Sequence, residues 1–189
     1  WKVGTDIVLS NGFRFCPPNK TRDATGNIPI TQSYLFDMLP VNAQVRTGKV
    51  KGIQIINWLE NELQNVFAKD ASKRLGGWMV KFKGMKVTFK AFNEMGKRVQ
   101  SVMVNGKRID KERVYTVCAC EREGDANTML CRMANVADGK NTTYTLHDVL
   151  KDYLKVHSPV TPAPEKNAVI LDAPQNLLTQ VSGVDYQFV

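Results

Sequence analysis

Few residues in this chain have the types and spacing that chemistry needs. The two histidines are His147 and His157, and no carboxylate cluster accompanies them. A catalytic two-metal centre needs more imidazole and oxygen ligands than that. Cys118 and Cys120 share one face of a predicted strand, and Cys131 follows in a later segment. That is not the Cys-x-x-Cys pairing of a zinc site, so these cysteines and Cys16 read as small core residues or as one disulfide. Gly-x-Ser-x-Gly, Gly-x-x-x-x-Gly-Lys and Gly-x-Gly-x-x-Gly are all missing. A serine nucleophile elbow and the common phosphate loops are therefore not expected. On these grounds the chain does not read as a self-sufficient enzyme.

Binding is better represented than catalysis. Asn11-Gly12-Phe13-Arg14 follows a predicted strand. An arginine there can grip a carboxylate, phosphate or sulfonate through paired hydrogen bonds, and Gly12 lets the backbone approach a ligand closely. An ordinary surface arginine would have the same spacing. Gly124-Asp125 also follows a strand end, where loops tend to carry function, although a plain turn would look alike.

The elements that must position these residues are legible from periodicity. Asp6–Arg14 reads as a buried strand running into a glycine turn. Thr31 can cap a short helix that Pro40 stops, giving Thr31–Leu39. Ile56, Leu59, Leu63, Val66 and Phe67 recur at three- and four-residue spacing and predict a helix over Ile53–Phe67, with Glu60 and Glu62 on its wet side. Trp78, Val80 and Phe82, then Met85, Val87 and Phe89, alternate with polar residues as half-buried strands do. Further strands are expected at Val45–Val50, Val99–Val104, Tyr115–Cys120 and Ala168–Leu171. Asn105-Gly106 is a strong turn signal between two of them. Thr145 with Asp148 resembles a capping box opening a helix over Leu146–Val156, which carries His147 at a polar position. Helices interleaved with hairpins predict an α+β fold with a mixed sheet, over residues 1–157. Residues 158–189 read as a proline-rich linker and tail.

Composition narrows the classes. Hydrophobic residues make up 43% of 189, which a disordered chain could not match. The net charge of +8 suggests anionic partners without specifying them. Lys81, Lys83, Lys86, Lys90, Lys97 and Arg98 could line one sheet face, which solvation alone explains. No RNA-recognition signature accompanies them, so nucleic acid is not expected as a partner. No apolar run is long enough for a membrane span, and no signal peptide is visible. The first residue is Trp1, which suggests a mature product or a piece of something longer.

Taken in order, several segments carry a resemblance. They are Asn11-Gly-Phe-Arg14, Ile30–Pro40, Val50–Glu60, Gly76–Gly84, Val99–Asp110, Tyr115-Thr-Val and Gly124-Asp125. Together they resemble the C-terminal domain of the 5′-nucleotidase family, over roughly residues 4–157. The resemblance implies a substrate-binding domain of a larger metal-dependent hydrolase. It places two divalent metals, manganese or zinc, in an N-terminal metallophosphoesterase domain, and no cofactor in this chain. It also implies that Arg14, with Asn11 and Gly12, contacts substrate and that Asp125 bonds a ribose or similar polar group. The family stacks a nucleobase between two aromatic rings, where this chain has Val41 and Ala119. The motifs are most similar to the thiosulfohydrolase branch of the bacterial sulfur-oxidation pathway. For that branch the ligand is an anionic small molecule or the sulfonate-bearing arm of a carrier protein, and the location is periplasmic or extracellular. The alternative is a stand-alone module that binds an anion or a protein arm without catalysis.

Overall fold

The computed structural model describes residues 2–13, 20–75, 79–161 and 166–173. Its first sheet contains β1 (Ile7–Ser10), β2 (Gln44–Lys51), β3 (Lys81–Lys83), β7 (Val114–Cys120) and β8 (Ala137–Thr145), in the order β3-β1-β7-β2-β8. The second contains β4 (Met85–Phe89), β5 (Val99–Val104), β6 (Lys107–Arg108) and β9 (Ala168–Ile170), in the order β6-β5-β4-β9. Each sheet has one parallel pair, β1 with β7 and β4 with β9, and is otherwise antiparallel. The fold is thus α+β with mixed sheets, as the alternation of patterns predicts.

Among the described residues three α-helices complete the architecture. Helix α1 (Gln32–Met38) starts where Thr31 Oγ1 accepts the Tyr34 N–H, and Pro40 follows its end. Helix α3 (Leu146–His157) opens on the expected capping box, with Thr145 and Asp148 exchanging bonds. Helix α2 (Gly52–Phe67) is the organiser. Its Ile55, Trp58 and Leu59 join Ile7, Leu9 and Val117 of the first sheet and Val87, Val102 and Val104 of the second in one buried cluster. Burying those side chains contributes about 1.5–3 kcal/mol each before chain entropy is subtracted.

Because α2 packs against both sheets, its buried surface is wider than an amphipathic stripe. This overturns the expectation that Glu60 and Glu62 face water: they are 6% and 1% exposed. Glu60 accepts the backbone N–H groups of Gly96 and Val99, and Glu62 accepts that of Val80. Arg98 also departs from the expected basic face. It is 3% exposed and donates to the carbonyls of Ala91 and Phe67 and to Gln64, while Lys81, Lys83, Lys86 and Lys90 are exposed across two different sheets. His147 is buried, not polar-facing. Its Nε2 meets the Leu39 carbonyl at 2.7 Å and its ring packs edge-on to Phe36.

The Asn105-Gly106 turn forms with both φ angles positive, the left-handed pair of a type I′ hairpin. It returns the chain into the short β6, whereas the Tyr115 strand crosses to the other sheet. Cys118 and Cys131 are free thiols, and Cys16 lies outside the described residues. Beyond the proline-rich stretch the chain returns to pair β9 alongside β4.

Candidate substrate site

Strand direction decides which loops meet. Because β1 and β7 run parallel, their C-terminal ends lie side by side, with Ile7 opposite Val117 and Val8 opposite Cys118. Strand β2 is antiparallel to β7, so its beginning reaches the same end, with Val45 opposite Cys120. Asn11-Gly12, the Val41–Ala43 segment and the loop after Cys120 therefore converge at one end of the first sheet. Crevices outside the carboxyl ends of parallel strands are where open α/β sheets tend to bind ligands.

Within that end, Gly12 has φ +77° and its N–H donates to Ser10 Oγ at 2.9 Å. A Cβ there would stand 3.1 Å from Lys81 Nζ, so glycine is what lets the ammonium sit against the turn. Asn11 Oδ1 accepts a long, weak bond from the Cys131 thiol, at 4.0 Å. Asp125 is half-buried, in a turn where its N–H donates to the Arg122 carbonyl at 3.1 Å. Val41 is 67% exposed, on the loop that His147 holds down. Ala119 is not at the surface: it is 3% exposed in the main core, opposite Arg46. Arg14 lies outside the described residues.

Sequence reading missed the groups that fix these loops. Cys131 and Arg132 have φ +51° and +67°, a left-handed pair without glycine or asparagine, closed by Leu130 and Met133. Non-glycine residues in that region cost about 1–2 kcal/mol each, so the surroundings must impose the turn. Three contacts to α2 do so. Arg132 Nη2 pairs with Glu62 at 2.6 Å, Trp58 Nε1–H donates to the Cys131 carbonyl at 3.1 Å, and Gln54 donates to the Asn135 carbonyl at 2.9 Å. Burial, with Cys120 nearby, pushes the Cys131 thiol up to about 12, so it stays a protonated donor toward Asn11.

The start of the loop is fixed separately. Arg46 is 4% exposed, and it donates to Glu121 at 2.6 Å and to Asn141 at 2.7 Å. Asn141 in turn donates to Glu121 and Gln44. The only sequence signal was a charged residue at a core-facing place in an otherwise readable strand. Among the described residues no group of three or more His, Cys, Asp or Glu side chains could hold a metal ion. The described residues do not themselves fit a metal pair. No described helix is long and apolar enough to cross a membrane.

A family profile described as 5′-nucleotidase, C-terminal domain, matches residues 1–121. The chain belongs to that family. Solved structures agree on the fold. A 5′-nucleotidase precursor from Thermus thermophilus is 23% identical with a TM-score of 0.69, over 92% of this chain and 33% of that one. The sulfate thiohydrolase SoxB from the same species is also 23% identical, at 0.70, over 90% of this chain and 29% of that one. The NAD nucleotidase of Haemophilus influenzae is 17% identical, at 0.62, over 88% and 30%. The chain thus spans about a third of the length of these relatives. No curated protein sequence matches it.

Proposed function

We propose that this chain is the substrate-binding domain of a larger metal-dependent hydrolase, and that its ligand is an anion without a nucleobase. One observation carries the reading: Asn11-Gly12, Val41 and the Asp125 loop come together at one end of the first sheet. Lys81 adds an ammonium beside Gly12. Arg14, two residues on, adds a guanidinium by sequence. Neither Val41 nor Ala119 offers a ring, so a base would lose stacking worth about 1–3 kcal/mol per ring. A thiosulfate- or sulfonate-type group, free or on a carrier-protein arm, suits such a site better than a nucleotide. Hydrolysis itself falls to an N-terminal metallophosphoesterase domain, and the working location is periplasmic or extracellular. This chain's part is to hold and orient the anion.

Calorimetric titration of the chain tests the reading. Thiosulfate is expected to bind and adenosine to bind poorly. Arg14→Ala should weaken thiosulfate about tenfold, as loss of a charge-assisted pair does, while the melting temperature stays put. Micromolar adenosine binding would restore a nucleotide ligand, and a collapsed melting temperature in Arg14→Ala would make Arg14 structural.

A further inference from the structure

The face of the first sheet away from α2 contains a second opening. Strands β2 and β8 lose register between Thr47 and Lys49: Thr47 faces Lys140 and Lys49 faces Ala137, so Gly48 is opposed by both Asp138 and Gly139. This is a β-bulge, which bends a strand and re-aims its side chains. Asp138 holds φ +52°, a region a non-glycine residue rarely adopts. A Cβ on Gly139 would run into the Asn127 carbonyl, so the loop from the far side presses the bulge into place. The result is a cleft of about 340 Å³, lined by Thr5, Thr47, Thr116, Lys49, Asp138 and Lys140.

Register places the polar groups on one face. Cys118, Thr47 and Lys140 form a row across three strands, and Thr116 sits beside Lys49 in the next. Lys49 Nζ is engaged by Asp138 at 2.9 Å. Lys140 feels the Asp138 carboxylate only at longer range, and among the described residues neither its Nζ nor the Thr47 hydroxyl makes a hydrogen bond or a close ion pair. Two ammoniums against one carboxylate leave one positive charge uncompensated beside an unused hydroxyl donor. Directly opposed residues have Cβ atoms about 4.5–5.5 Å apart, close enough for Lys140 and Thr47 to reach one small ligand.

We infer that this cleft is an anion site for a tetrahedral oxyanion such as phosphate or sulfate, held by Lys140 and Thr47 and shared with Lys49. It is separate from the loop end described above: Thr116 lies near the start of β7, whereas Asp125 lies beyond its far end. The Asp138 carboxylate is the internal competitor, closely for Lys49 and at longer range for Lys140, so it sets how tightly the anion is held. The site depends on neither the hydrolase reading nor the identity of its substrate.

Amide resonances followed during titration with inorganic phosphate, and separately sulfate, at constant ionic strength in chloride give the test. Saturable shifts are expected over Thr47–Lys49 and Ala137–Lys140. Lys140→Ala should raise the apparent Kd about tenfold, as expected for a lost charge-assisted bond, and Lys140→Arg should retain binding. Asp138→Asn should tighten it. Arg14→Ala should leave these shifts unchanged, which separates this cleft from the thiosulfate site. The inference is overturned if the shifts do not saturate, if they spread evenly over exposed lysines, or if Lys140→Ala titrates like the wild type.

Discussion

The two sheets pack on the same helix, yet they use it differently. Toward the second sheet, α2 presents Glu60, whose carboxylate takes two backbone N–H groups at the start of β5 and the turn before it. Toward the first, it presents Glu62, whose carboxylate takes, besides the Val80 N–H, a guanidinium from the loop that closes the candidate site. Two neighbouring glutamates of one helix thus separate into an anchor for the second sheet and an anchor for the candidate-site loop. Both are buried, so burial alone does not tell the roles apart; the partner does. A carboxylate spent on backbone donors completes a sheet, whereas one paired with a loop arginine sets where that loop sits.

Breaking each anchor should expose the difference. Glu62→Ala removes one buried acceptor from Arg132 and the acceptor of the Val80 N–H. It should lower stability by about 3 kcal/mol in urea unfolding and also weaken thiosulfate binding, because the Cys131 turn loses its clamp. Glu60→Ala should cost about 2 kcal/mol for its unpaired amides and leave ligand affinity intact. Equal losses of affinity in the two variants would erase the distinction.

A smaller effect is expected at the glycine of the site. Gly12→Ala forces a Cβ into positive φ and against Lys81, which can yield because its chain is flexible. Stability should fall by about 1 kcal/mol, with a loss of anion affinity that no substitution at the left-handed Gly106 of the other sheet should match. Unchanged binding would remove Gly12 from the site.

The smallest effect at neutral pH concerns Cys131. Its folded thiol lies at about 12, above the ordinary value of 9.0, so the folded state holds that proton more tightly than the unfolded chain. The stabilisation is complete below about pH 9 and is lost as pH climbs toward 12. Cys131→Ala should flatten that alkaline decline relative to the wild type. Two superimposable pH profiles would show that the thiol's environment contributes nothing.

Much of the second sheet was legible, since Met85–Phe89 and Val99–Val104 obey a period of two and end at clear turn residues. Helix α2 was legible as a helix but not in its surroundings. Periodicity reports one buried face, and this helix is buried between two sheets, which is why Glu60 and Glu62 were misplaced. Arg98 and His147 were read as solvent-facing for the same reason: a buried polar side chain looks exposed until its partners, here the Ala91 and Leu39 carbonyls, are brought to it by distant chain. Strand β8 left no apolar alternation to read, because Ala137–Thr145 is largely exposed along its length. At the candidate site, Asn11, Gly12 and Asp125 were visible as loop residues after strands. The Arg46–Glu121–Asn141 network was not, as its members are 20 to 95 residues apart.

Strand β8 also bears on how copies of this protein meet. Among the described residues it is a nine-residue border strand, with no strand paired along its outer side. A straight border of that length invites a neighbouring molecule to zip onto it. Here the register breaks twice, the backbone turns left-handed at Asp138, and charges of both signs flank the kink. The distortion that opens the cleft therefore also spoils the template, and a straightened β8 would be expected to trade a binding pocket for a tendency to aggregate.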